Sequence, residues 1–229
     1  MYMHENYKKD IVENIFKTKV TSMFKGDYAS SRAVYSDDSF VYKVFKQSKI
    51  VDQFEMFLKN YKGDLKLLDI FKDDNSTIFK FNKLQGHTVD HLMKENKTIP
   101  LDVVTLKEWF KTQVKEIHNA GVRCYEKYDE YKIKQDPWGQ GFIFTFCDWS
   151  KGNFIYNETD KKLYLVDLEP SNWMPRNIWD CVIREQFKSF IRNFEHIKEL
   201  DDVDYVLHLE DTVQEELNKE IPVFLACPA

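Results

Sequence analysis

Residues 144–180 read FTFCDWSKGNFIYNETDKKLYLVDLEPSNWMPRNIWD, and this stretch decides the fold. Phe154-Ile155-Tyr156 and Leu163-Tyr164-Leu165-Val166 are short apolar runs either side of a polar turn, which is the pattern of a hairpin. Asp148 and Asn153 lie five apart just ahead of it, and Asp167 closes its second run. Three oxygen-bearing side chains are thereby predicted on loops flanked by strands.

Phosphoryl transfer needs such a set. One carboxylate accepts or orients a hydroxyl proton, while an Asn and an Asp hold Mg²⁺ on a triphosphate. The pattern D-x-x-x-x-N, a short hairpin and then apolar-apolar-D resembles the catalytic and metal-binding loops of the protein-kinase-like superfamily. Gly152-Asn153 and Asp167-Leu168-Glu169 look more like its aminoglycoside and choline phosphotransferase branch than like ordinary protein kinases. The resemblance implies ATP and Mg²⁺ as cofactors, Asp148 as catalytic base, and Asn153 and Asp167 as metal ligands. It also implies Glu169 as a possible second-metal or substrate contact, and Asp180 as a structural anchor of the catalytic loop. The plainer alternative for Asp148 is a turn or capping residue.

Around the catalytic loop the sequence departs from the family in two places. Phe146 stands where the family usually carries a His two positions before the catalytic Asp. An alternative register begins at Gly121-Val122 after the long helix, but it would put Glu126 and Tyr131 in the Asp and Asn places, and those residue types cannot serve. Rejecting it makes residues 123–141, rich in Tyr and charge, an insertion.

Working outward, residues 5–17 are predicted helical and residues 20–46 as three strands. Ser36-Asp37-Asp38-Ser39 turns the chain between Arg32-Ala33-Val34-Tyr35 and Phe40-Val41-Tyr42-Lys43-Val44-Phe45. A helix follows from about Asp52 to Tyr61, then strands over 65–71 and 77–84. Lys43 sits mid-strand among apolar neighbours, which is awkward for an ammonium unless it meets an anion. The resemblance gives it the α and β phosphates of ATP and gives Glu55 the role of bracing it; a lysine pointing to water is the alternative. Residues 25–31 would cover the phosphates, with Ser30, Ser31 and backbone N–H groups in place of the family's glycines.

Gln85-Gly86-His87 reads as a hinge. The fold expected is thus α+β and two-lobed: residues 1–84 a small antiparallel-sheet lobe with one embedded helix, and residues 85–229 a mainly helical lobe carrying the catalytic loops, with ATP between residues 26–84 and the loops at 148–169. In the second lobe Leu106, Trp109, Phe110, Gln113, Val114 and Ile117 fall at helical spacing, with a stop expected at Asn119-Ala120-Gly121. A second periodic run spans 177–198, and a last helix 203–219.

Composition bounds the function. With 43% hydrophobic and 15% aromatic residues the chain can build a substantial core, which excludes disorder. A net charge of −5 argues against a general nucleic-acid binder. No apolar run reaches the roughly 18 residues that a membrane span needs, and MYMHENYKKD lacks the apolar core of a secretory signal. Four scattered cysteines without C-x-x-C spacing suggest reduced thiols. Together these predict a cytoplasmic location, or a host cytosol for an effector or viral protein. No zinc-ligand spacing is present among the histidines; His87 and His91 are an i,i+4 pair with no third donor. Asp180 follows Asp167 by only thirteen positions, too few for a regulated peptide-docking activation loop. That favours a hydroxyl of a small molecule as acceptor, with a minimal serine/threonine kinase acting on protein, or a non-catalytic pseudokinase, as alternatives.

Overall fold

The computed structural model describes residues 2–24, 33–46, 49–127, 142–146, 148–168, 171–194 and 196–221. The chain divides into two compact units, Met1–Lys59 with Leu65–Leu84, and Asn60–Asp64 with Gln85–Ala229. The expected α+β architecture is found: an antiparallel sheet in the N-terminal part and a helical C-terminal part.

The first unit contains α1 (Tyr2–Phe16), β1 (Thr21–Phe24), β2 (Ala33–Ser36), β3 (Phe40–Lys46), α2 (Lys49–Asn60, whose last residue falls in the second unit), β4 (Leu67–Lys72) and β5 (Ser76–Asn82). The strands form one antiparallel sheet in the order β1-β2-β3-β5-β4. Because strand side chains alternate, β3 serves two faces. Tyr42 and Val44 join Val12, Val20, Tyr35 and Ile78 in a buried cluster beneath α1. On the opposite face, Phe45 packs against Phe54 of α2 and Phe79 of β5, with ring centroids 6.0 and 5.3 Å away.

The turn between β2 and β3 is organised by Asp37. Its carboxylate accepts hydrogen bonds from the Ser39 and Phe40 amides and from the Thr18 and Tyr42 hydroxyls, at 2.7 to 3.0 Å. Partial burial raises the Asp37 pKa, but these four donors outweigh it and hold the carboxyl below its ordinary value. Burial first, and then the Asp37 charge, push the Tyr42 phenol up.

The second unit contains β6 (His87–Thr88), α3 (Val89–Lys94), α4 (Val103–Lys127), β7 (Phe142–Phe146), β8 (Phe154–Asn157), β9 (Lys162–Leu165), β10 (Ser171–Pro175), α5 (Arg176–Ile191) and α6 (Val203–Glu220). Its strands make a three-stranded sheet, β6-β8-β9, and a pair, β10-β7, both antiparallel. Leu106, Phe110, Val114 and Ile117 on α4, Ile183, Phe187 and Phe190 on α5, and Val213 and Leu217 on α6 are buried together with Trp149 and Phe154. α4 and α6 are also laced by ion pairs: Lys107 and Lys111 reach Glu216 at 3.1 and 2.7 Å, and Lys115 reaches Glu220 at 2.7 Å.

Two sequence expectations are corrected. α4 does not stop at Gly121 but runs through it to Lys127. An interior glycine costs a helix about 1 kcal/mol relative to alanine. The turn beyond it is held by tertiary contacts, because Arg123 Nη2 donates to the Asn60 carbonyl (2.8 Å) and to Glu116 (2.7 Å), and Cys124 is buried. The run predicted over 177–198 ends as α-helix at Ile191 and tightens into a 3₁₀ turn, Arg192–Phe194. There Asn193 Nδ2 donates to the Ser189 and Phe190 carbonyls, serving groups that a helix end leaves without partners.

At the entry to the second unit, Gly86 has φ +123°, and a β-carbon would lie 2.3 Å from the Tyr156 carbonyl oxygen. Only glycine fits there.

Candidate active site

The β7 strand delivers the chain to Asp148, and the 3₁₀ turn Lys151–Asn153 feeds it into β8. Asp148 is exposed. Asn153 Nδ2 donates to Asp148 Oδ2 at 2.9 Å and to the Asp148 carbonyl at 3.0 Å. Two acceptors on one side fix the amide orientation and leave Oδ1 as the remaining donor atom for a cation. The register pairs Phe154 with Leu165, and the Val166 amide donates to the Asn153 carbonyl at 3.0 Å. Asp167 is the next residue. The hairpin therefore brings Asn153 alongside the chain just ahead of Asp167, while the side-chain contact joins Asn153 to Asp148.

The loop is anchored by a residue that sequence reasoning left unassigned. Trp149 is only 1% exposed and lies among Trp109, Phe110, Phe154 and Phe190, with ring centroids 4.5 to 6.5 Å away. Its carbonyl accepts from Asn193 Nδ2 at 2.8 Å. The Asn153 amide donates to the Ser150 carbonyl at 2.9 Å, and Lys151 Nζ pairs with Asp90 of α3 at 3.0 Å. Hydrogen bonds from Lys94 and then Lys151 hold the Asp90 carboxyl below its ordinary value. Asp148 and Ser150, the neighbours of the buried indole, are exposed. A tryptophan between two polar residues, Asp148 and Ser150, was the available sequence signal.

Lys43 lies in the first unit, mid-β3, opposite Val34 and Phe79. It is 8% exposed, and its Nζ sits 5.8 Å from the centre of the Phe81 ring. It shares the face of β3 that carries Phe45, as the alternation of the strand requires. Glu55, on α2, has Lys59 and Lys72 as its ion-pair partners, both at 2.6 Å. Burial raises its pKa, but the two lysines outweigh this and hold the carboxyl below its usual value. Ser30, Ser31 and Glu169 lie outside the described residues, as does the side chain of Asp180, whose backbone is in the first half of α5.

No group of three or more His, Cys, Asp or Glu side chains among the described residues is placed to hold a metal. The Asp148, Asn153 and Asp167 set is of another kind, two carboxylates and one amide. Sparse, hard oxygen donors suit Mg²⁺, which keeps several waters and takes only one or two protein groups beside phosphate oxygens. The residues present fit that ion.

No protein-family model and no curated protein matches the sequence. Among solved structures, the chain is similar to monomeric WbdD, with a TM-score of 0.49 and 13% identity over 82% of this chain. It is also similar to a structure of the bifunctional kinase-methyltransferase WbdD, with a TM-score of 0.47 and 12% identity over 84%. The match covers 45% and 43% of those chains, so this chain spans less than half their length. Similarity at this level transfers no activity, and the reading of the site rests on its own residues. No helix among the described residues is long and apolar enough to cross a membrane.

Proposed function

We propose that the chain is an ATP- and Mg²⁺-dependent phosphotransferase that moves a γ-phosphoryl group to a hydroxyl of a small molecule. The observation that carries this reading is the contact between Asn153 and Asp148: one side chain ties the proposed base to the proposed metal ligand and keeps an oxygen for the cation. Bound Mg²⁺ would neutralise charge on the phosphates. Asn153 Oδ1 and the Asp167 carboxylate are assigned to hold it. Asp148 orients the acceptor hydroxyl and takes its proton. Lys43 is assigned a phosphate contact, and Glu169, Ser30 and Ser31 keep their proposed roles at metal and phosphate. The short interval from Asp167 to Asp180 supports a small acceptor over a protein one.

Phe146 in place of the family's His and the glycine-poor segment 25–31 favour, as a second reading, a nucleotide-binding module without transfer. Asp167→Asn separates either reading from a chain that binds no nucleotide. The wild type should bind ATP more tightly with Mg²⁺ than without, and the variant should lose that difference, as measured by calorimetry. No Mg²⁺ effect on the wild type would sink both readings. Labelled phosphate appearing on an acceptor in a screen of small molecules and proteins would decide between them.

A further inference from the structure

A second site lies in the helical unit. A cavity of about 300 Å³ opens between α5, the 3₁₀ turn Lys198–Asp201 and α6. That volume is at the small end of the range for ligand pockets. Ile191, Val206 and Leu207 contribute apolar wall, and Glu210 lines the same cavity from α6. Glu210 is only 3% exposed, and its Oε1 has no hydrogen-bond partner among the described residues. A buried acceptor left without a donor costs about 1–3 kcal/mol, and an apolar side chain at this position would avoid that cost. Burial raises its pKa first, and Lys188 and Arg184 oppose the rise. The ionisable surroundings are mixed: Arg184 pairs with Asp211 at 3.0 Å, Lys188 lies 3.7 Å from Glu185, and Arg192 and Asp201 also line the opening. Nothing in that balance calls for a ligand of net charge.

We infer that this cavity binds a small uncharged molecule with a short branched apolar body and one hydrogen-bond donor, which it presents to Glu210. The apolar wall takes the body, and the Glu210 carboxylate, which lines the cavity, takes the hydroxyl or amide hydrogen. Val203 and Leu207, 70% and 43% exposed, make an apolar lip one helical turn apart at the opening.

The test is a protein-detected NMR titration of the full chain with isoamyl alcohol, isovaleramide, isoamylamine and the donorless methyl isobutyl ketone. The alcohol and the amide should shift signals of α5 and α6. The ketone should bind roughly tenfold more weakly, the worth of one hydrogen bond. Glu210→Leu should abolish the preference for the alcohol over the ketone. Equal binding of alcohol and ketone by the wild type, or tighter binding of the amine, overturns the assignment, as does the absence of any shift. The wild-type comparison decides the matter even where the leucine variant fails to fold. Nucleotide binding plays no part in the readout, so this inference stands or falls separately from the phosphotransferase proposal.

Discussion

Asp37 and Asp148 both sit in polar turns beside strands, yet the two carboxylates are held in opposite ways. Asp37 accepts four hydrogen bonds from two backbone amides and two hydroxyls, one of them on the buried Tyr42. Asp148 is exposed, and its one carboxylate contact among the described residues is the Asn153 amide. The backbone around Asp148 is pinned instead by its neighbours, Trp149 below and Asn153 beyond. A carboxylate that organises a turn is saturated by that turn. One available for chemistry has its position fixed by other residues and keeps lone pairs for a ligand.

The largest effect that could break this contrast is on catalysis. Asp148→Asn should leave ATP·Mg²⁺ affinity near wild type and lower the transfer rate by roughly 10²–10⁴, the usual worth of a positioned general base. Lost affinity with no separate rate effect would make Asp148 a ligand or a structural residue, and full activity would move the catalytic loop elsewhere.

Trp149→Ala comes next. Removing a fully buried indole should cost about 3–5 kcal/mol, read as a lower urea midpoint. A loss below 1 kcal/mol would mean that the loop does not depend on its anchor.

Asp37→Ala should cost roughly 2 kcal/mol, since it removes the acceptor of two turn amides and leaves the buried Tyr42 hydroxyl without its acceptor. The rate per folded molecule should not change. A transfer defect in this variant, measured at a temperature where it is fully folded, would erase the distinction between the two aspartates.

The smallest effect is one of pH. The hydrogen bond from Lys111 is the main influence holding the Glu216 carboxyl below its ordinary value, and Lys115 acts first on Glu220. Depressed folded-state values mean that the stabilisation is complete above the unfolded value of 4.5 and is lost as pH falls through the folded ones. Chemical denaturation at a series of pH values should show a loss of under about 1 kcal/mol per pair over that acid range, and Glu216→Gln should flatten its share. An unaltered pH profile in the variant would show the pair to be inert.

The alternation of β2, β3 and β5, the spacing of α4 and the D-x-x-x-x-N pattern are local, and the sequence displays them directly. Other features depend on partners far along the chain. β6 is two residues long and exists because His87 and Thr88 pair with Tyr156 and Ile155. The end of α4 was misplaced because Gly121 is a local stop signal, whereas the contact of Arg123 with Asn60 lies sixty-three residues away in sequence. Trp149 could be read as apolar, but its role required three other elements to surround it. The pairing of Glu55 with Lys72 shows the same limit: Lys72 reaches it from β4, seventeen residues on, and no local pattern announces that.

The five residues Asn60–Asp64 interrupt the first unit and belong to the second. Tyr61 there is buried and donates its hydroxyl to Gln113 at 2.9 Å, and the Lys62 amide donates to Glu116 at 2.6 Å. A fragment cut after Leu84 would carry this segment away from α4 and would take the Gln113 acceptor from the Tyr61 hydroxyl. The first unit is therefore not a separable module in the genetic sense. Any excision or domain-exchange design must either replace Asn60–Asp64 with a polar linker or bring α4 along with it.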